Sequence, residues 1–291
     1  MNGSDGTSAA AAGELTLGDL TIRRLGFGAM RITGEGIWGE PDDPSAARAL
    51  LRRVVELGVN MIDTADSYGP EVSERLIREA LHPYPDDVVI ATKGGLLRDG
   101  PGKWRPDCRP EHLKEACEAS LRRLRLDTID LYQLHTPDPE VPFEESVGAL
   151  SELRDEGKVR NVGLSNVGRS HLATAQEIVP IVSIQNRYSL TSRDSEQVLE
   201  ACESEGIGFI PWFPLDTGSL ADADGLEEVA KSHSAKSGQV ALAWLLQHSP
   251  VMVPIPGTSS IAHLEENVAA AQLKLSDDEL ARVEAAAVQD G

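Results

Sequence analysis

The sequence has little positive charge: its 291 residues include 27 Lys and Arg against 47 Asp and Glu, a net charge of −20. Proteins that bind nucleic acid or anionic membranes need a cationic face, so neither is an expected partner. No segment reaches the ~18 consecutive apolar residues of a membrane-spanning helix. The three cysteines, Cys108, Cys117 and Cys202, form no CxxC pair. We therefore expect no disulfide framework and no metal site, and a reducing, cytoplasmic location.

The beginning of the chain is small and polar. Residues 1–13 lack the basic n-region of a secretory signal. We expect this stretch to be a disordered leader, as poorly anchored termini commonly are. No linker or break in composition divides the rest of the chain, so residues 14–291 are predicted to form a single domain.

Short apolar segments alternate with helical patterns along the chain. Segments that are apolar on both faces are typical of parallel strands covered by helices. The predicted strands lie at 25–29, 60–64, 88–92, 129–135, 159–165, 182–185, 208–212 and 251–255. The predicted helices lie at 44–57, 71–81, 110–124, 143–156, 169–178, 193–205, 240–247 and 261–271. Eight such β–α units with right-handed crossovers close into an α/β fold, the (β/α)8 TIM barrel.

An open doubly wound sheet is the structural alternative. It is disfavoured because the segment GFGAMR at 26–31 has arginine where a dinucleotide fingerprint needs its third glycine. Three additions to the barrel are also expected. Residues 14–23 read as a β-hairpin that caps the bottom of the barrel, residues 226–235 as an extra helix, and residues 277–288 as a C-terminal helix. Ser276 and Glu279 would form the capping box of that last helix.

Reactive side chains cluster at the ends of three successive predicted strands. Asp63 lies at the end of the second strand and Tyr68 follows it, and Lys93 follows the third strand. The fourth strand ends at His135. Active residues of (β/α)8 barrels lie at the C-terminal ends of strands, so we expect all four at one mouth. Each residue alone has an ordinary structural explanation, but that explanation is weaker for four residues together.

These four residue types suit proton transfer to a developing alkoxide. A tyrosine with a pKa of ~10 is a weak acid at neutral pH unless a cation favours its phenolate. Lys93 supplies such a cation, and Asp63 supplies the counter-ion that a buried lysine needs. A neutral His135 would donate a hydrogen bond that polarises and orients a carbonyl oxygen.

Several longer motifs match one family in order and spacing. They are NMIDTADSYG, VVIATK, IDLYQLH, VRNVGLSN, VSIQNRYS and VPIPGTSS followed by LEEN, and the match spans about residues 17–280. The chain thus resembles the aldo-keto reductases. The resemblance implies a catalytic tetrad at Asp63, Tyr68, Lys93 and His135, and NADPH-dependent hydride transfer to an aldehyde or ketone without a metal. Since steroid double-bond reductases of that family have glutamate in place of histidine, His135 favours carbonyl chemistry.

The resemblance also implies a cofactor cradle. Ser165, Asn166 and Gln185 would hold the nicotinamide carboxamide, and Trp212 would stack on the ring. A turn that caps the next helix is the alternative for the Ser-Asn pair, and a core aromatic is the alternative for Trp212. The other implied cofactor contacts are Gly28, Met30, Asp63, Phe213, Pro214, Leu215, Gly218, Leu220, Pro256, Gly257, Thr258, Ser259, His263, Glu266 and Asn267.

The choice between NADPH and NADH depends on residues 257–263. Relatives strict for NADPH often have lysine at the position of Gly257 and arginine at that of His263, and both cations are missing here. Thr258 and Ser259 still offer hydrogen bonds to a 2′-phosphate, at a helix N-terminus that favours anions. NADPH is the expected cofactor, and NADH stays open as the alternative.

The substrate should meet side chains that follow several strands. The expected substrate contacts are Met30, Arg31, Trp38, Tyr68, Trp104, His135 and Phe213. Arg31 would bind an anionic or phenolate group, or else pair with Glu35 or Glu40 on the surface. Several motifs resemble a bacterial subgroup that includes pyridoxal reductases, and pyridoxal is a small aromatic aldehyde that suits an aromatic-walled mouth.

Two other functional classes compete with a carbonyl reductase. Some relatives act as non-catalytic, NADP(H)-binding redox-sensing subunits, but a phenylalanine at position 68 would have favoured that role. A hydrolytic barrel needs two carboxylates on separate strand ends, whereas Asp63 and Asp66 share one. We therefore expect an enzyme that acts on a small carbonyl substrate as a monomer or small homo-oligomer.

Overall fold

The computed structural model describes residues 7–216 and 224–288. Its strands are β1 (Glu14–Leu17), β2 (Leu20–Arg23), β3 (Phe27–Gly28), β4 (Met61–Asp63), β5 (Val89–Gly94), β6 (Leu96–Gly100), β7 (Lys103–Pro106), β8 (Ile129–Leu134), β9 (Val159–Ser165), β10 (Ile181–Gln185) and β11 (Gly208–Phe209). Its helices are α1 (Pro44–Glu56), α2 (Val72–Leu81), α3 (Pro110–Leu124), α4 (Phe143–Asp155), α5 (Arg169–Gln176), α6 (Glu196–Glu205), α7 (Asp224–Ser232), α8 (Ser237–His248), α9 (Ile261–Ala269) and α10 (Asp277–Val288).

Within the described residues, seven strands form one parallel sheet in the order β11-β10-β9-β8-β5-β4-β3. The segment 251–255 closes this sheet into a barrel. On one side, the amide of Val253 donates to the carbonyl of Phe209 at 2.8 Å. On the other side, the amide of Gly26 donates to the carbonyl of Pro254 at 2.9 Å. The predicted (β/α)8 barrel is confirmed, with its eighth strand held by backbone bonds rather than by a long ladder.

Local sequence explains where individual elements begin and end. Asp43 caps α1, because its side chain accepts hydrogen bonds from the amides of Ser45 and Ala46. Pro44 stands at the first position of the helix, where its missing N–H costs nothing. Just beyond the end of α1, Gly58 adopts a φ of 78°, the left-handed conformation that stops helices. The capping box predicted for α10 is also present, since the Ser276 amide donates to Glu279 at 2.8 Å.

The N-terminal hairpin covers the bottom of the barrel, as predicted. Leu17 and Ile22 of this hairpin are fully buried in one cluster with residues from inside the barrel, such as Leu131. The expected disorder through residue 13 is wrong for residues 8–13. Ala9–Ala12 form a 3-10 helix, and the buried amide of Ala9 donates to the carbonyl of Leu57 at 3.0 Å. Two apolar residues of this short helix pack on the barrel, which is why the segment is ordered.

Some predicted boundaries are corrected. The strand predicted at 25–29 shortens to β3 because the chain turns into a 3-10 helix at Ala29–Ile32. The helix predicted from residue 193 begins at Glu196. The antiparallel hairpin β6–β7 was not predicted at all. No helix in residues 7–216 or 224–288 is long and apolar enough to cross a membrane.

Candidate active site

The four predicted catalytic side chains meet at the C-terminal end of the barrel. Asp63 ends β4 and Lys93 lies in β5. The ammonium nitrogen of Lys93 lies 2.7 Å from Asp63 Oδ2 and 3.4 Å from the hydroxyl oxygen of Tyr68. His135 follows β8, and its ring meets the ring of Tyr68 edge-on, with centroids 5.8 Å apart. The strand ends thus deliver a carboxylate, an ammonium, a phenol and an imidazole to one place.

The Lys93–Asp63 pair is buried but fully hydrogen-bonded. Lys93 is 0% exposed, and its ammonium also donates to the carbonyl of Thr64 at 2.8 Å. The other oxygen of Asp63 accepts hydrogen bonds from Gln185 at 2.8 Å and Gln133 at 3.2 Å. Burial by itself lowers the pKa of Lys93, but Asp63 and Tyr68 outweigh it, so the pKa is raised. The lysine therefore stays charged beside the phenol.

Burial and charge act on Tyr68 in opposite directions. Burial raises the pKa of the phenol, while the neighbouring Lys93 lowers it. The balance leaves the pKa of Tyr68 above its ordinary value. Lys93 thus acts in the direction expected from the sequence, but the desolvation of the site exceeds its effect.

His135 is a neutral imidazole in this setting. Burial, with Lys93 as the second cause, holds its pKa well below the usual range. Its Nδ1 lies 3.4 Å from Ser67 Oγ. A neutral imidazole keeps one N–H and can donate a hydrogen bond to an uncharged oxygen, which is the role expected for it.

A cavity of ≈ 380 Å³ opens above Tyr68 and His135. Most predicted site residues line it: Gly28, Met30, Arg31, Asp63, Tyr68, Trp104, His135, Ser165, Asn166, Gln185, Trp212, Phe213, Pro214, Leu215, Pro256 and Gly257. It is also lined by Leu96, Asp216 and Ile255, which were not predicted. Asp216 directly follows the predicted contacts Pro214 and Leu215, and Ile255 directly precedes Pro256, so the neighbouring predictions pointed to both positions. No sequence pattern pointed to Leu96, because the β6–β7 hairpin that carries it was not predicted.

Other predicted residues lie away from this cavity. Lys93 lies beneath it, in contact with Tyr68. Trp38 is 37% exposed and does not line the cavity. Its ring centroid lies 5.6 Å from the guanidinium carbon of Arg98. Trp38 was expected to contact substrate, but the loop that carries it turns outward to meet the β6–β7 hairpin. Gly218 and Leu220 lie outside the described residues.

The remaining predicted contacts belong to the segment that leads into α9. They are Thr258, Ser259, His263, Glu266 and Asn267, and none lines the main cavity. Ser260 caps α9 by accepting from the amide of His263, and Thr258 accepts from the amide of Ser260 at 3.0 Å. Glu266 forms an ion pair with Lys236. The N-terminus of α9 follows directly on Pro256 and Gly257, so an extended ligand leaving the cavity there would meet it.

Asn166 and Trp212 form part of the cavity wall, and hydrogen bonds to neighbouring residues hold them in place. Asn166 adopts a φ of 59°, which asparagine tolerates better than most residues. Its Nδ2 donates to the carbonyl of His135 at 2.9 Å and to Ser165 Oγ at 3.2 Å. Its Oδ1 accepts from the indole nitrogen of Trp212 at 3.0 Å. The amide predicted to hold a carboxamide is therefore tied both to the backbone of His135 and to the indole of Trp212.

Gly28 and Gly257 lie where the first and eighth strands approach each other. A Cβ atom on Gly28 would lie 2.7 Å from the carbonyl oxygen of Ile255, and one on Gly257 would lie 2.6 Å from the carbonyl oxygen of Gly28. Real Cβ atoms do not come so close to backbone. The absence of lysine at position 257 therefore has a steric reason in this chain.

Arg31 lies on the rim of the cavity with its side chain exposed. One of the two surface partners considered for it, Glu40, pairs with Arg75 instead. Arg31 also lines a second cavity of ≈ 330 Å³, which it shares with Ser259.

Comparisons with known proteins agree with the fold. Residues 24–288 match the Aldo/keto reductase family. The chain is 49% identical over 282 residues to an uncharacterized oxidoreductase of Schizosaccharomyces pombe, covering 97% of this chain and 92% of that protein. It is 43% identical over 276 residues to pyridoxine 4-dehydrogenase of Escherichia coli, covering 92% and 96%. An aldo/keto reductase from Klebsiella pneumoniae, solved in complex with NADP and acetate, has 27% identity and a TM-score of 0.82 over 94% of each chain.

Proposed function

Because the chain belongs to the aldo/keto reductase family, we propose that it reduces an aldehyde or ketone to an alcohol with NADPH, using Tyr68 as the general acid. The observation that carries the proposal is the position of the Tyr68 hydroxyl, 3.4 Å from a buried ammonium and at the surface of the cavity. A phenol so placed is poised to give up a proton to a ligand and to be stabilised afterwards by the adjacent charge.

The residues of the cavity fit a nicotinamide dinucleotide. Ser165, Asn166 and Gln185 line it with hydroxyl and amide groups, and Trp212 adds a flat indole face. The N-terminus of α9, capped by Ser260, is the end of a helix that favours a phosphate group. A solved relative binds NADP on the same fold. When bound, NADPH supplies the hydride for the reduction.

Each side chain of the tetrad has its own role in the proton transfer that completes the reduction. The Tyr68 hydroxyl transfers its proton to the carbonyl oxygen of the substrate as that oxygen becomes an alkoxide. Lys93 stabilises the phenolate that Tyr68 becomes, and Asp63 holds Lys93 in place and balances its charge. Neutral His135 donates a hydrogen bond to the same carbonyl oxygen, which orients the substrate and favours charge on the oxygen.

For the substrate we propose a small aromatic aldehyde, with pyridoxal as the first candidate. Trp104 and Phe213 provide aromatic surface around the mouth of the cavity, and Arg31 on its rim can meet a phenolate oxygen. The relative in Escherichia coli is a pyridoxine 4-dehydrogenase, whose name describes the reverse conversion at the same type of carbon.

The test is the oxidation of reduced coenzyme, followed by its absorbance, with NADPH and NADH against a carbonyl panel that includes pyridoxal. The wild-type chain should consume NADPH with pyridoxal. Tyr68→Phe should abolish turnover while its affinity for NADPH, measured by calorimetry, stays nearly unchanged. Turnover retained by Tyr68→Phe would overturn the assignment of the acid. Tight binding of NADPH without turnover on any carbonyl would favour the non-catalytic subunit instead.

A further inference from the structure

The β6–β7 hairpin brings an arginine between two tryptophans at the mouth of the cavity. The guanidinium carbon of Arg98, in β6, lies 3.7 Å from the ring centroid of Trp104, in β7. The same carbon lies 5.6 Å from the ring centroid of Trp38, which belongs to the loop after β3. A cation at these distances is attracted to the faces of both rings. We call these three residues the tryptophan–arginine clamp.

Arg98 also ties together three separate segments by hydrogen bonds. Its guanidinium donates to the carbonyl of Ile37 at 2.6 Å and to that of Gly36 at 2.8 Å, both in the loop that carries Trp38. It reaches the carbonyl of Ser67, next to the catalytic tyrosine, at 3.4 Å. It reaches Gly100 within its own hairpin at 3.3 Å. A planar group with five donors can stack and bridge several carbonyls at once, which lysine cannot do.

One member of the clamp faces the reaction centre. Trp104 lines the main cavity, and its ring centroid lies 6.4 Å from that of His135 at an interplanar angle of 62°. Arg98 itself does not line that cavity. It therefore acts on the site through the ring of Trp104, by holding the hairpin against the loop that follows the first barrel strand.

We propose that Arg98 is a positioning residue that fixes Trp104 as one wall of the substrate pocket and so makes the site prefer planar aromatic carbonyls. This inference rests on the proposed function, since it concerns the substrate of the same site. A small aliphatic aldehyde gains little from a flat wall, because it offers no π-face to stack. An aromatic aldehyde gains from the wall only while the ring of Trp104 is held in place.

The experiment compares Arg98→Met and Arg98→Lys with Arg105→Met as the matched control. Arg105 lies on the same hairpin, but it is exposed and pairs only with the exposed Asp99 among the described residues. The probes are pyridine-4-carbaldehyde, which is planar and aromatic, and propanal. Arg98→Met should lose about fivefold in kcat/KM for the aromatic probe, through KM rather than kcat, which is the effect of losing a typical cation–π contact. Arg98→Lys keeps a cation but cannot bridge the carbonyls of Gly36 and Ile37 in the same way, so its loss should be in the same direction and smaller. With propanal both Arg98 variants should match the wild type, and Arg105→Met should match it with both probes.

Equal losses with the two probes, a loss confined to kcat, or a similar loss in Arg105→Met would overturn the proposal. Hydrogen–deuterium exchange gives a readout that needs no turnover. Amides of 96–106 and 34–39 should exchange faster in Arg98→Met and not in Arg105→Met, and unchanged exchange in Arg98→Met would count against the clamp. If the wild type reduces no carbonyl at all, the proposed function fails, and the exchange data still decide whether Arg98 holds the hairpin.

Discussion

The indole nitrogen of Trp212 donates a hydrogen bond to Asn166 Oδ1 at 3.0 Å. Through the same amide, Asn166 reaches the backbone carbonyl of His135. The indole of Trp212, the amide expected to hold the nicotinamide and the backbone of His135 thus form one connected unit. A tyrosine at this position would present its polar group at a different place on the ring.

This link predicts the effect of Trp212→Phe. The phenyl ring keeps a flat apolar face but loses the N–H group, so the amide of Asn166 is no longer held. We expect the affinity for NADPH to fall about three- to tenfold, the value of one ordinary hydrogen bond. Isothermal titration with NADPH measures this change.

A double-mutant cycle with Asn166→Ala identifies the cause. Once Asn166 is removed, Trp212→Phe should have little further effect, because the bond it breaks no longer exists. The same loss on both backgrounds would mean that Trp212 acts by stacking alone.

Replacement of Lys93 by methionine should damage both stability and acid catalysis. The change leaves the carboxylate of Asp63 buried without its cation, which typically costs ~3–5 kcal/mol of unfolding free energy. It also removes the charge that lowers the pKa of Tyr68, so that pKa rises further and proton donation weakens. We expect kcat to fall steeply and the alkaline limb of the pH–rate profile to move to higher pH.

Two further variants separate these effects of Lys93. The double variant Lys93→Met with Asp63→Asn should recover stability, measured by urea unfolding, but not activity. Lys103→Met, on the exposed β7 strand, should change neither quantity. A pH–rate profile that is unchanged in Lys93→Met would contradict the pairing of lysine and tyrosine.

His135 should make the stability of the fold depend on pH. Its pKa is well below the usual value in the folded chain, so between that value and ~6.5 the unfolded chain binds the extra proton. Stability therefore rises with pH across this window, by at most ~1.4 kcal/mol per pH unit from this one group. Urea unfolding at pH 5 and pH 7 should show a smaller gain in unfolding free energy for His135→Gln than for the wild type. The exposed control His82→Gln should show the same gain as the wild type.

Asp66 should make the stability of the fold decrease, rather than increase, as the pH rises. Burial, with Glu74 as the second cause, raises the pKa of Asp66 to about 8. Its Oδ1 is buried without a hydrogen-bond partner among the described residues. The folded chain thus holds a proton that the unfolded chain loses above ~4, and stability falls as pH rises from there toward 8.

Asparagine is the matched replacement, because it resembles the protonated acid. The stability of Asp66→Asn relative to the wild type should increase from pH 5 to pH 8, by an amount on the order of 3–4 kcal/mol. Asp99→Asn, at an exposed position of the hairpin, is the control. Parallel stability curves for Asp66→Asn and the wild type would show that the carboxyl is already ionised in the folded protein.

The barrel and the convergence of the four candidate catalytic side chains could be predicted because both depend on local pattern. Strands such as β5 read as short apolar runs between helices, and reactive residues such as Lys93 and His135 stand where those runs end. The barrel topology then brings these ends together without any further information. Even so, the direction of the pKa shift of Tyr68 needed the structure, because it depends on how deeply the phenol is buried.

The rim of the site could not be predicted in the same way. The β6–β7 hairpin has no apolar alternation. Its position depends on the contact of Arg98 with Trp38, which is distant in sequence. Because the contact with Arg98 was not foreseen, Trp38 was expected in the pocket rather than in the clamp. The order of residues 8–13 likewise depends on packing against the barrel, which local composition does not reveal.

The carboxylate of Asp63 has a consequence for how this protein could acquire new chemistry. Its partners Lys93, Gln133 and Gln185 come from three other strands of the barrel, so the reaction centre is also a cross-link of the interior. Selection for a different reaction that altered these residues would first produce poorly folded chains. Divergence within such a lineage should therefore begin in the loops and the hairpin around the mouth, where a residue can change without loosening the barrel.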